Sequence, residues 1–84
     1  MKNKVLIELI VPEIDKKYML YIPINKKIGN IIVLLNKSIQ ELSNGLYSGD
    51  NKTALYEKET GEKYPINELV RNTKIRNGSI LILM

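Results

Sequence analysis

Thr73-Lys74-Ile75-Arg76-Asn77-Gly78-Ser79-Ile80-Leu81-Ile82-Leu83-Met84 is the stretch on which the reading of this chain turns. Asn77-Gly78 is a tight-turn pair, because both residues tolerate positive φ. From Ile80 onward every residue is apolar. Successive side chains of a strand point to opposite sides, so a strand at Ser79–Met84 is apolar on both faces. A strand covered on both faces belongs in the middle of a sheet. Its neighbours must come from earlier in the chain, and the upstream segments supply them.

Lys4–Val11 alternates, with Val5, Ile7, Leu9 and Val11 on one side and Leu6, Glu8 and Ile10 on the other. That period of two, rich in β-branched residues, predicts a strand. Pro12-Glu13-Ile14-Asp15-Lys16 breaks it. Lys17–Ile24 alternates again, Tyr18, Leu20 and Ile22 against Met19 and Tyr21, so the two strands form a hairpin. Ile28, Ile31, Ile32, Leu35, Ile39 and Leu42 then recur at helical spacing, which predicts a helix from about Lys27 to Ser43. Asn25 is its expected N-cap and Asn44-Gly45 its expected left-handed stop. Gly29 weakens the first turn, and Val33 and Leu34 widen the apolar face. After a loop at Ser48–Asn51 come a short strand at Thr53–Glu57, a tight turn at Glu59–Glu62 and a brief return strand at Lys63-Tyr64. One helical turn at Ile66–Val70 brings Leu69 or Val70, and then Ile75, inward.

Hairpin, helix, short strands, a helical turn and a final central strand, in that order, resemble the β-grasp plan of ubiquitin. The step from Ile22 to Ile28, the helix positions Ile31 and Leu35, and the ending Ile75-Arg76-Asn77-Gly78-Ser79 followed by Leu81 and Leu83 are similar to ubiquitin's. One departure is the spacing from Leu69 to Ile75, a residue longer than in ubiquitin unless Val70 takes the buried place. A chain of this length with this ending and no Gly-Gly tail resembles the YukD/EsaB family, small bacterial ubiquitin-like proteins encoded with type VII (ESX-like, WXG100) secretion systems. The resemblance implies an α+β, ubiquitin-like β-grasp fold, a mixed sheet of four to five strands with one packed helix, as a single domain over residues 1–84. It also implies a cytosolic accessory or regulator of secretion, peripheral to a membrane complex, that binds a secretion-system protein and is not conjugated to others. A modifier or sulfur carrier truncated before its Gly-Gly tail is the competing reading, and a basic nucleic-acid-binding adaptor a third.

Composition narrows the chemistry. The 84 residues contain no cysteine and no histidine. That excludes disulfides, thiolate chemistry, zinc sites built on Cys or His, and an imidazole general base. No enzyme activity, metal or cofactor is expected. Five tyrosines and no Phe or Trp put Ile, Leu and Val in the core, with tyrosines at its margins. Met1-Lys2-Asn3-Lys4 followed by Val5–Val11 imitates a signal peptide, but Glu8 interrupts the apolar run and Pro12-Glu13 replaces the cleavage site. No run reaches the length of a membrane span. The net charge of +4 is distributed as Lys2/Lys4, Lys16/Lys17, Lys26/Lys27, Lys52 and Arg71/Lys74/Arg76, a solvated surface and not a nucleic-acid footprint.

The sheet face away from the helix is the candidate site. With Val5, Ile7, Leu9, Tyr18, Leu20, Ile22, Leu55, Leu81 and Leu83 inward, alternation sends Leu6, Glu8, Ile10, Met19, Tyr21, Tyr56, Ile82 and Met84 outward. The first, last and third strands lie side by side in this plan, so Leu6, Tyr56, Ile82 and Met84 are expected to form one apolar patch. Such patches mark interfaces, and Tyr is a good anchor in them. Leu6, Tyr21, Tyr56, Ile82 and Met84 are therefore the expected partner-binding residues, for a different protein or a second copy of this one, with neither nucleic acid nor membrane insertion expected. Glu57, Glu59 and Glu62 crowd the Gly61 turn, but Lys58 and Lys63 lie among them, as on an ordinary solvated turn. Ser48-Gly49-Asp50 lacks the glycines and lysine of a phosphate loop. Three Asn-x-Ser/Thr matches carry no weight without a secretory signal.

Overall fold

The computed structural model describes residues 3–84. Met1 and Lys2, part of the signal-like stretch and of the charge pattern, lie outside them. Strands β1 (Lys4–Val11) and β2 (Lys16–Pro23) form the hairpin, closed by a 3-10 turn at Pro12–Ile14. Asp15 takes the left-handed conformation there, at φ 53°, and its N–H returns to the Pro12 carbonyl. Helix α1 spans Ile28–Leu42, β3 spans Leu55–Glu57 and β4 spans Ile80–Leu83. The sheet runs β2-β1-β4-β3, with β1 and β4 parallel and the other pairs antiparallel. The last strand is central, as its two apolar faces require.

Alternation holds through the sheet. Ile7, Leu9, Val11, Ile22, Leu55, Leu81 and Leu83 are buried on one face, and Val5, Tyr18 and Leu20 pack at the margin of the same cluster. The helix stripe Ile28, Ile31, Ile32, Leu35 and Ile39 closes over them. Each side chain buried in this way contributes roughly 1.5–3 kcal/mol, so periodicity outweighs the weak helix propensity of Ile and Gly29.

The helix start departs from expectation. Asn25 does not cap it; Lys27 occupies the capping position in extended conformation, with no side-chain cap. Backbone carbonyls from the later loop do the work instead. Ile28 N–H donates to the Glu68 carbonyl at 2.8 Å and Gly29 N–H to the Ile66 carbonyl at 2.9 Å. These satisfy two of the donors that every helix start leaves unpaired. Asn25 accepts from Arg71 Nη1 at 3.1 Å. At the other end Asn44 (φ 54°) and Gly45 (φ 84°) are left-handed as expected, and Gly45 N–H returns to the Gln40 carbonyl at 2.8 Å.

The expected helical turn at Ile66–Val70 lies later in the chain. Glu68 N–H closes a turn on the Pro65 carbonyl, and the 3-10 turn follows at Val70–Asn72. Val70 is buried and Leu69 only half-buried, so Val70 takes the core place and absorbs the extra residue before Ile75. The return strand expected at Lys63-Tyr64 is a single bridge between Lys63 and Tyr56. Two tyrosines expected at the margins are inside: Tyr47 and Tyr64 are buried. Tyr47 Oη donates to Asn36 Oδ1 at 2.6 Å, which satisfies the one polar atom that burial would strand.

Candidate interaction surface

The strand register lays out the outer face row by row. At one corner Leu6 on β1 lies opposite Tyr21 on β2. The middle row runs Met19, Glu8, Ile80 across β2, β1 and β4, and the next runs Lys17, Ile10, Ile82, Tyr56 across all four strands. Met84 continues beyond Ile82, its backbone exchanging hydrogen bonds of 2.8 and 3.1 Å with Ala54.

Tyr56, Ile82 and Met84 therefore come together as expected, and Tyr21 joins the face at the opposite corner. Leu6 does not adjoin that cluster. At the level of Leu6 the strand β4 has not begun. The Leu6 N–H is held by Asn77 Oδ1 at 2.8 Å and its carbonyl by Gly78 N–H at 2.8 Å, so the Asn77-Gly78 turn stands where a strand neighbour would be. The residue beside Ile82 is Ile10, four residues along β1 from Leu6, or about 13 Å at the rise of an extended strand. The two apolar corners are separated by the row that carries Glu8. Ile10 was legible as outward from alternation, but its adjacency to Ile82 depends on the parallel register Glu8–Ile80, which no local pattern in the chain states. Ile80 shares the phase of Ile82 and is outward by the same alternation, although the expected set omits it.

The apolar side chains of this face are open to different degrees. Tyr21 is 54% exposed, Met19 59% and Met84 56%, whereas Leu6, Ile10, Tyr56, Ile80 and Ile82 are half-buried. The half-buried row Ile10–Ile82–Tyr56 spans β1, β4 and β3 and is held by backbone pairing. It can present apolar area to a partner without paying ordering entropy. Glu8 and Lys17 supply one charge of each sign within the face. Each pairs across β1–β2 with a neutral or apolar neighbour, so either can meet a partner's opposite charge.

Other candidate chemistry stays dispersed. Glu57 Oε2 accepts from Thr60 Oγ1 at 3.3 Å, and Glu57 N–H donates to the Glu62 carbonyl, so this turn is closed by its own groups. Among the described residues no three carboxylates gather to hold a metal ion, and no helix is long and apolar enough to cross a membrane. The two titrating side chains that the fold perturbs are both core tyrosines. Burial pushes the Tyr47 and Tyr64 phenols up, with nearby Glu57 adding to the effect at Tyr64.

No protein-family model matches the chain, and no curated protein matches it in sequence. Solved structures match it in shape. A chain from a structure of molecular mimicry of SUMO that promotes DNA repair superposes with a TM-score of 0.77 at 15% identity, over 98% of this chain and 91% of that one. The ubiquitin of Caldiarchaeum subterraneum does so with a TM-score of 0.67 at 13% identity, over 95% and 90%. The fold is ubiquitin-like. This ubiquitin-like chain also superposes on part of a chain of the MycP5-free ESX-5 inner-membrane complex, with a TM-score of 0.72 at 12% identity. The match takes in 98% of this chain but 21% of that one, so there the fold is one part of a much longer protein. At these identities the superpositions establish architecture, and the site must be argued from its own residues.

Proposed function

We propose that this chain is a noncovalent protein-interaction module, an accessory or regulator of a bacterial type VII (ESX-like) secretion machine, that docks through the outer face of its sheet. The observation that carries the reading is the row Ile10–Ile82–Tyr56, an apolar strip fixed on three strands and left half-open on a fold whose opposite face is sealed by the helix. Tyr56 is the expected anchor, since a rigid aromatic with a polar tip contributes large contact area at low entropic cost. Met84 extends the strip, and Leu6 with Tyr21 forms a second contact point across Glu8. The superposition on part of a chain of the ESX-5 inner-membrane complex supports the secretion setting, and in this reading the chain works at the cytoplasmic side of such a machine.

The test is capture of the tagged protein from its native cells, with half the sample washed under native and half under denaturing conditions. Secretion-machine proteins in the native half alone are expected. Tyr56→Ala and Ile82→Glu, each confirmed folded by circular dichroism, should release them. Species that survive denaturation would mean covalent attachment and overturn the proposal. Retention of every partner by both folded variants would overturn the assignment of the face. Loss of a dimer, with no other protein captured, would mean that the face joins two copies of this chain.

A further inference from the structure

Of the two buried tyrosines, one has a partner for its hydroxyl and the other does not. Tyr47 Oη donates to Asn36, whereas Tyr64 Oη makes no hydrogen bond among the described residues. Tyr64 is only 9% exposed, yet no fully buried side-chain oxygen or nitrogen of the described residues lacks a partner. The small exposed part of Tyr64 therefore includes its hydroxyl. It opens into a cavity of about 200 Å³ that Tyr64 lines together with Glu57, Glu59, Lys74 and Ile80.

The backbone leaves a second group unpaired at the same place. Ala54 and Met84 exchange both bonds of an antiparallel pair, and Tyr56 stands opposite Ile82, so Lys58 and Ile80 form the next pair in phase. Lys58 N–H does donate to the Ile80 carbonyl, at 3.2 Å, but among the described residues the return bond is not made. The chain turns away at Lys58, where Gly61 N–H closes on the Glu57 carbonyl at 2.8 Å. Strand β1 cannot serve instead, because Glu8 N–H takes the Ser79 carbonyl and the parallel ladder then uses Leu81, not Ile80. Ile80 N–H is left at the open end of the β3–β4 ladder, beside the cavity. Unpaired backbone donors inside a fold are rare and call for an explanation.

The lining selects the occupant. A carboxylate bonds to Ile80 N–H and the Lys74 ammonium, an ammonium bonds to Glu57 and Glu59, and the Tyr64 hydroxyl serves either. A simple anion would meet Lys74 against two carboxylates. A metal ion would find two carboxylates beside an ammonium, and would leave Ile80 N–H unpaired. An apolar molecule would strand every polar group. A molecule carrying both charges on neighbouring atoms uses all of them, and the volume suits one somewhat larger than benzene.

We infer that the cavity at the open end of the β3–β4 ladder binds a free α-amino acid, its carboxylate on Ile80 N–H and Lys74 and its ammonium on Glu57 and Glu59. The surplus carboxylate favours a basic side chain over a neutral one, and a neutral one over an acidic one. The site is separate from the outer face and stands or falls without it: none of Ile10, Ile82 and Tyr56 lines the cavity.

The experiment follows the amide resonances and amide exchange of the full chain during titration with L-lysine, L-valine and L-glutamate at millimolar concentration. In the free protein the Ile80 amide should exchange faster than those of Leu81 and Ile82, which the ladders hold. L-lysine should bind most tightly, shift the Ile80 amide and slow its exchange, and L-glutamate should bind least. Cadaverine, which lacks the carboxylate, and 6-aminohexanoate, which lacks the α-ammonium, should each bind roughly tenfold more weakly or worse, for the loss of charge-assisted bonds. Tyr64→Phe and Lys74→Met should each weaken L-lysine binding by roughly tenfold. Lys63→Met, at an exposed lysine that does not line the cavity, should not. An Ile80 amide as slow as its neighbours in the free protein would overturn the inference, because it would already have a partner. So would the absence of any shift with all three amino acids, which would mean that the cavity holds water only. Cadaverine or acetate binding as tightly as L-lysine would mean charge alone and would overturn it too. A tripeptide beginning with lysine that binds as tightly as L-lysine would overturn the free ligand in favour of a chain N-terminus.

Discussion

Val70→Ala and Leu69→Ala form a pair that tests how the chain enters the core after the β3 turn. Val70 is fully buried and packs within the main cluster, whereas the Leu69 side chain is half-exposed and its residue serves the fold through a backbone bridge to Lys27. Truncating Val70 removes two methyl groups, about 1.6 kcal/mol of transfer free energy at roughly 0.8 kcal/mol each. The vacated space adds about 1 kcal/mol if the surroundings hold their positions, at around 24 cal/mol per Å³. The total of about 2–3 kcal/mol is a large share of the stability of a domain this small, on the order of 4–13 kcal/mol. It should lower Tm by roughly 10–20 °C. Leu69→Ala removes more atoms but keeps the backbone bridge, and should cost about 1 kcal/mol or less. Urea melts of the two variants, analysed at constant m, provide the comparison. If Leu69→Ala proves as costly as Val70→Ala, Leu69 is the buried residue and the register of this segment is wrong.

Gly49 and Gly45 make a second comparison. Both are left-handed, so alanine strains either one, but a Cβ at Gly49 would lie 2.6 Å from the Asn36 side chain, whereas Gly45 has open space. Gly49→Ala should therefore destabilise by about 1 kcal/mol or more beyond Gly45→Ala, because Asn36 is tied to Tyr47 Oη; equal losses would remove that contact from the account. Asn77→Ala should leave the sheet intact, cost about 0.5–1.5 kcal/mol, and speed exchange of the Leu6 amide selectively. An unchanged Leu6 amide would show that Asn77 is not its partner. Alkali should unfold the protein through Tyr47 and Tyr64, whose folded-state pKa values lie above the ordinary 10.0 because burial disfavours the phenolates. Above pH 10 the folded state keeps protons that the unfolded chain releases, so stability is fully present below that pH and falls as pH rises through the folded values. Tyr47→Phe with Tyr64→Phe should flatten the decline measured by denaturation from pH 9 to 11.5.

The parts of the fold that were legible in the chain are those governed by local period. Both hairpin strands and the helix could be read from apolar residues recurring at period 2 or 3.6, and the central last strand from an apolar run on both faces; burial of those faces dominates the energetics. The misplacements share a cause. Asn25 is a good capping residue, but the loop carbonyls of Ile66 and Glu68 reached the helix start first, and no pattern near residue 25 announces a partner some forty residues away. Tyr47 sits in a loop with no period, and its burial depends on Asn36 of α1 accepting a hydrogen bond from its hydroxyl. On the outer face, alternation sorted each strand into in and out, but the side-by-side placement of Ile10 and Ile82 is a property of register between segments. Leu6 was placed beside Ile82 because strand order was legible and strand offset was not.

The parallel pairing of β1 with β4 has a consequence for dividing the molecule. Opening the chain at the Gly61 turn would leave β1, β2, α1 and β3 in one fragment and β4, with Val70 and Ile75, in a 24-residue remainder. In the larger fragment β1 and β3 would face each other across a slot one strand wide, roughly 9–10 Å between their axes. The remainder is the piece shaped for that slot, and it brings both the missing ladder bonds and two core plugs. Neither fragment can close a sheet by itself, which makes this small fold a natural scaffold for a split reporter, silent when apart and restored by threading one strand.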